Sequence, residues 1–186
     1  MTFDEPQMGL FFEALNFAAR KHRDERRKDP EKTPYINHPI EVAETLWRVG
    51  RVREMPTLIA ALLHDTLEDT DTTPQEISDQ FGPDVLALVR EVTDDKSLHW
   101  TERKEKQIET ASHKTPAAKC LKMADKICNV HDLTASPPEN WSWERRRDYF
   151  DWTEKVVAGL RGVNPALERL YDQTLAQGRA ALQDEI

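Results

Sequence analysis

Apolar positions along this chain recur every three to four residues, and nowhere do they alternate over the length a half-buried strand needs. The pattern predicts an all-α protein, a compact helical bundle of about eight to ten helices. Leu10, Phe11, Ala14, Leu15, Ala18 and Ala19 share a stripe that predicts a first helix from about Met8 to Asp24. The polar loop RKDPEKTPYIN leads to a second helix from Pro39 to Val49, because proline in the first turn is pre-organised for a helix start. Pro56 opens a third, PTLIAALLHDTLEDT, apolar on nearly every side through Leu63 and therefore expected to be buried.

Thr70, Thr72 and Thr73 end that helix, and Pro74 begins a short fourth one through Phe81. Gly82-Pro83 separates it from DVLALVREV, which ends near Thr93. TERKEKQIETAS reads as an exposed helix, whereas the helix after Pro116 carries Leu121, Ala124, Ile127 and Cys128 on one face and should lie in the core. A Pro-Pro turn at 137–138 precedes a long helix from about Ser142 to Leu160, and Asn164-Pro165 begins the last. With no internal repeat or linker, a single domain over 1–186 is expected.

Composition narrows the function classes. Only 6 glycines, 32% charged and 38% hydrophobic residues suit a soluble, helix-rich protein. No segment approaches the roughly 20 apolar residues of a membrane span. The start MTFDEPQMGLFF lacks the basic flank and cleavage site of a signal peptide, so a cytoplasmic protein without a membrane partner is expected. Cys120 and Cys128 sit in an apolar stretch and read as small core residues. A net charge of -8 argues against a duplex nucleic-acid partner, with the cluster Lys21, Arg23, Arg26, Arg27 and Lys28 as a local exception that also suits a solvated helix end.

The chemistry concentrates in His64-Asp65, followed by Glu68-Asp69 and flanked by His38 and Asp125. On one continuous helix, neighbouring side chains diverge by about 100°, so His64 and Asp65 could converge only on an ion above the helix, with other helices closing the site. His38 at a helix start and Asp125 in a core helix are suitable contributors, giving two imidazoles and two carboxylates. Asp125 has no evident neutralising partner in the sequence, and an unpaired buried carboxylate is costly. That donor set suits Mn²⁺, Fe²⁺, Co²⁺, Ni²⁺ or Zn²⁺ better than Ca²⁺ or Mg²⁺. A metal with an open position supplies hydroxide near neutral pH, which points to hydrolysis. Glu68 and Asp69 lie one turn beyond His64 and Asp65 and are expected at the same rim, where one can deprotonate water and the other hold geometry. Acids at a helix C-terminus run against the dipole, and a cation supplies a reason for them.

The order His38, His64-Asp65, Asp125 resembles the HD superfamily of metal-dependent phosphohydrolases. The words AARKHRDERRKDPEKTPYINHPIEVA, AALLHDTLEDTDTT, FGPDVLALVREVTDDK and KMADKICNVHDL resemble its RelA/SpoT hydrolase branch, above all the stand-alone small alarmone hydrolases. The resemblance implies Mn²⁺-dependent hydrolysis of the 3′-pyrophosphate of guanosine tetra- and pentaphosphate, with one metal per chain held by His38, His64, Asp65 and Asp125. It implies Glu68 and Asp69 as the catalytic pair and Arg27, Lys28, Asn129 and Tyr149 as substrate contacts. Removal of the 2′-phosphate of NADPH is the rival activity the resemblance carries. A non-catalytic alarmone-binding module is a further rival, opposed by the intact ligand and acid set. Related proteins often place a lysine near Trp100, and this chain does not.

His22, His99, His113 and His131 have no partner set in the sequence and read as surface or hydrogen-bonding residues. Trp47, Trp141, Trp143 and Trp152 read as packing anchors, with Trp141 able to reach a base if its loop borders a cleft.

Overall fold

Prolines and small polar caps set where the helices start. Pro56, Pro74, Pro83, Pro116 and Pro165 each occupy a first helical turn. Thr73 forms a capping box with Glu76, and the side chains of Thr115, Ser142 and Asn164 accept the first free amides of their helices. The computed structural model describes residues 5–185. Ten helices form among them: α1 (Glu5–Lys21), α2 (Asn37–Arg48), α3 (Met55–Leu63), α4 (Thr66–Asp69), α5 (Pro74–Phe81), α6 (Pro83–Val92), α7 (Trp100–Ala111), α8 (Pro116–Ala135), α9 (Trp143–Leu160) and α10 (Pro165–Gln183). No strand occurs among the described residues, only an isolated bridge between Arg26 and Pro34. The fold is the expected all-α bundle.

The apolar α3 is the hub, packing on α1, α2, α6 and α8. Every residue of α3 except Pro56 is buried. The long α8 crosses behind it and meets α2, α6, α9 and α10. A polar interruption of this core, formed by His38, His64, Asp125, Lys122 and Lys126, lies where α2, α3 and α8 meet.

One expected element is corrected. The helix expected to run unbroken from Pro56 to the threonines is two, because α3 stops at Leu63 and the single turn α4 restarts at Thr66. The Thr66 hydroxyl donates to the Leu63 carbonyl at 2.7 Å, offering the backbone a local partner in place of a continued helix. Asp65 takes φ -97°, ψ -5° at the break. Helix α1 also ends at Lys21, short of the expected Asp24. His22 is buried there and its Nδ1 lies 2.7 Å from Glu25 as the chain turns into the loop. His22 is thus a buried hydrogen-bonding residue, not a surface one.

Candidate metal centre and its cleft

The break after α3 changes the geometry of the His-Asp doublet. Instead of diverging as on a helix, the neighbours converge, with Asp65 Oδ2 3.0 Å from His64 Nε2. Helix α2 brings His38 Nε2 to 3.9 Å from the same oxygen, and α8 brings Asp125 Oδ1 to 3.2 Å from His38 Nε2 and 3.9 Å from His64 Nε2. Donor atoms of His38, His64 and Asp65 all lie within 4.8 Å of one another. Four side chains from three parts of the chain therefore face one small volume. Both histidines and Asp125 are buried, and Asp65 is half-buried.

Charge and hydrogen bonding in this cluster fit a divalent cation. His64 Nδ1–H donates to the Ala61 carbonyl at 2.8 Å, and its buried Nε2 has no hydrogen-bond partner. An outer hydrogen bond on one ring nitrogen, with the other turned toward carboxylates, is the arrangement of a histidine ligand. Burial pushes the His38 imidazole down, keeping it neutral. Burial also opposes charge on His64, but the Asp65 and Asp125 carboxylates outweigh it and raise its pKa to about 8. Burial opposes ionisation of Asp65 and Asp125 as well. The facing imidazoles nonetheless hold Asp65 well below the usual carboxylate range, and Lys126 and His38 do the same for Asp125. A divalent cation between these carboxylates would take the place of the His64 proton.

Asp125 is not the unpartnered acid that the sequence suggested. Lys126, its immediate neighbour, donates to Oδ2 at 3.1 Å, and Asn129 Nδ2 donates to Oδ1 at 2.5 Å. Consecutive helical residues rarely face one another, and here the ammonium reaches back along a buried stem, 4.7 Å from the Trp152 ring. Asn129 also accepts from Arg27 Nη2 at 3.1 Å, so it stands between the Asp125 carboxylate and the loop cation.

A cleft of about 790 Å³ opens beside the cluster, lined by Arg27, Lys28, Tyr35, His38, Asp69, Asn129, Trp141 and Tyr149 among others. Each sequence-expected substrate contact thus borders one cleft. Arg27 and Lys28 come from the loop after α1, and Arg27 Nη2 is held by Asp132 at 2.5 Å. Tyr149 packs edge-on to Trp141 at 5.6 Å, so Trp141 does border the cleft, while Trp143 and Trp152 donate to the Leu182 and Lys104 carbonyls as anchors.

Glu68 and Asp69 point apart more than expected. Asp69 borders the cleft and pairs with Lys96. Glu68 instead accepts from the Asp94 amide at 3.0 Å and lies 3.4 Å from Arg103 Nη1. Burial raises the Glu68 pKa, and the Asp94 amide hydrogen bond only partly offsets this. Around Trp100, which is 56% exposed, the cation is Lys104 one turn later, 5.7 Å from the Trp100 ring. Sequence reasoning missed Tyr35, Lys96, Arg103, Lys126 and Asp132. Lys126 is adjacent to Asp125 and Tyr35 lies three residues before His38, while Lys96 and Asp132 sit inside the words VREVTDDK and KMADKICNVHDL; Arg103 alone lies outside those words.

The family model described as the HD domain matches residues 14–160. The chain is 55% identical over 165 residues to the human guanosine-3′,5′-bis(diphosphate) 3′-pyrophosphohydrolase MESH1, covering 89% of this chain and 92% of the human protein. Identity to the Drosophila melanogaster protein of the same name is 50% over 167 residues, covering 90% and 93%. A solved structure of a metazoan ortholog of SpoT, described as hydrolysing ppGpp and acting in starvation responses, matches with a TM-score of 0.90 at 47% identity, over 95% of this chain and 98% of that one.

Proposed function

The chain belongs to the HD-domain family, and on that premise we propose that it is a metal-dependent (p)ppGpp 3′-pyrophosphohydrolase. We read it as a single catalytic domain acting in the cytoplasm, with one Mn²⁺ per chain as its cofactor. The observation that carries the reading is the meeting of two imidazoles and two carboxylates at the edge of a cleft of nucleotide size, with Arg26, Arg27 and Lys28 among its lining. The relatives' activity agrees with it.

His38, His64, Asp65 and Asp125 would hold the ion, and the mixed nitrogen and oxygen set suits Mn²⁺ while also accepting other divalent transition metals. When bound, the ion lowers the pKa of a water and draws electron density from a phosphoryl oxygen. The residues supply the rest. Arg27 and Lys28 balance phosphate charge, with Arg27 exchanging its contact to Asp132 for one to the substrate. Trp141 and Tyr149 border the cleft as an aromatic wall for the base.

Asp69, facing the cleft, orients the attacking water. Glu68, whose burial favours proton uptake, would receive its proton on turning from the Asp94 amide toward the cleft. The water oxygen bonds to the phosphorus attached to ribose O3′ as the P–O3′ bond breaks. O3′ then takes up a proton, leaving GDP or GTP and pyrophosphate.

NADPH presents a ribose 2′-phosphate to the same groups, and a ring face recognises bases with little selectivity. The deciding experiment measures kcat/KM for ppGpp and for NADPH with Mn²⁺. Pyrophosphate release from ppGpp at the higher kcat/KM is expected. A higher kcat/KM for phosphate release from NADPH would replace the reading, and stoichiometric ppGpp binding without turnover would make the protein a binding module.

A further inference from the structure

Tyr35 lies outside the expected site residues yet touches a candidate ligand directly. Its hydroxyl donates to Asp65 Oδ2 at 2.5 Å. That oxygen is the one facing both imidazoles, 3.0 Å from His64 Nε2 and 3.9 Å from His38 Nε2. We propose that Tyr35 is a positioning residue for the metal centre, holding Asp65 so that Oδ2 faces the histidines. The proposal rests on the reading of His38, His64, Asp65 and Asp125 as metal ligands.

The need for such a residue follows from the local fold. Asp65 lies at the break between α3 and α4, where no continuing helix fixes its side chain. Its carboxylate is also the more exposed of the two, at 18% against 7% for Asp125. Asp125 is held on both oxygens by Lys126 and Asn129. For Asp65, Tyr35 donates such a hydrogen bond to one oxygen, Oδ2.

Tyr35 is itself well braced. Its ring lies 4.9 Å from the His22 ring and 5.9 Å from the His38 ring, with the Arg27 guanidinium 5.6 Å from its centroid. His22, locked to Glu25, backs it from the end of α1. The loop carrying Arg27 and the histidine carrying α2 are thereby tied to the same phenol. Support of this kind acts on ligand orientation, and its loss typically weakens metal affinity by roughly 10- to 100-fold.

Tyr35→Phe keeps the ring and its packing while removing the hydroxyl, so the metal-free protein should still melt in one cooperative transition, lowered only by the loss of one hydrogen bond to a carboxylate. Calorimetric titration with Mn²⁺ alone should show dissociation weakened by roughly 10- to 100-fold. With ppGpp, kcat should return toward wild type at saturating Mn²⁺, a recovery that a purely structural lesion would not give. A Mn²⁺ affinity within twofold of wild type, or a low kcat that saturating Mn²⁺ does not restore, would overturn the role of Tyr35. Asp65→Asn serves as the control: if it binds Mn²⁺ as wild type does, the ligand assignment itself fails, independently of Tyr35.

Discussion

Asp125→Asn tests whether the buried polar cluster stabilises the fold or serves the metal. The substitution keeps the shape, and the new amide can still accept from Asn129, so what is lost is one negative charge. Lys126 Nζ is then left in a side chain only 5% exposed, facing the Trp152 ring without its carboxylate. Breaking one side of a buried ion pair costs about 3–5 kcal/mol. The lysine can also deprotonate or shift, so the lower end, about 3 kcal/mol, is the expectation. For a chain of this size that lowers the melting temperature of the metal-free protein by about 6–12 °C.

Replacing both partners should largely cancel the loss, because an uncharged pair of similar volume leaves no unpaired charge. Asp125→Asn combined with Lys126→Met is therefore expected within about 1 kcal/mol of wild type. The double variant should nonetheless fail to gain the Mn²⁺-induced stabilisation of wild type, which reaches about 2.7 kcal/mol at a hundredfold excess over Kd. Calorimetric melts of the four proteins, with and without Mn²⁺, supply the cycle. A single variant that melts with wild type, or a double variant as unstable as the single, would refute the pairing of Asp125 with Lys126. Full Mn²⁺ stabilisation in the double variant would remove Asp125 from the ligand set.

Mn²⁺ binding should depend on pH through His64. Its pKa of about 8 means that the ion displaces a proton below that value, so affinity should rise with pH up to about 8 and then level off. Proton release measured by titration in buffers of different ionisation enthalpy checks this, and a flat profile between pH 6 and 8 would contradict it. Glu68→Gln should bind Mn²⁺ normally while losing about 10²- to 10⁴-fold in kcat; retained turnover would end its assignment as base. Because burial raises the Glu68 pKa, the acid limb of kcat/KM should lie above the ordinary glutamate value of about 4.3. Gly178→Ala places a Cβ 2.7 Å from Thr134 Oγ1 and 2.9 Å from the Phe150 ring, and should destabilise the α8–α9–α10 contact by about 1–3 kcal/mol without altering Mn²⁺ affinity.

Local sequence determined a good deal of this protein. Prolines, caps and apolar stripes marked nearly every helix start, because those signals act within a turn or two of chain. Four candidate donors and two candidate acids could be picked out for a similar reason: a His-Asp doublet closing an apolar helix, with further acids one turn on, is unusual wherever the chain then carries it. Packing decided the rest. Whether the chain continued through His64-Asp65 or broke there left no mark in the helical pattern, and the break brings the neighbouring side chains together. Glu68 and Asp69 are consecutive on α4 and diverge as helical neighbours do, and the loop after α6 meets them with the Asp94 amide and Lys96. Tyr35 meeting Asp65, and Arg27 meeting Asp132, join residues distant in sequence. Such contacts follow from how α2, α3 and α8 stack, and a stacking arrangement is fixed by the summed fit of many apolar surfaces, which no single motif records.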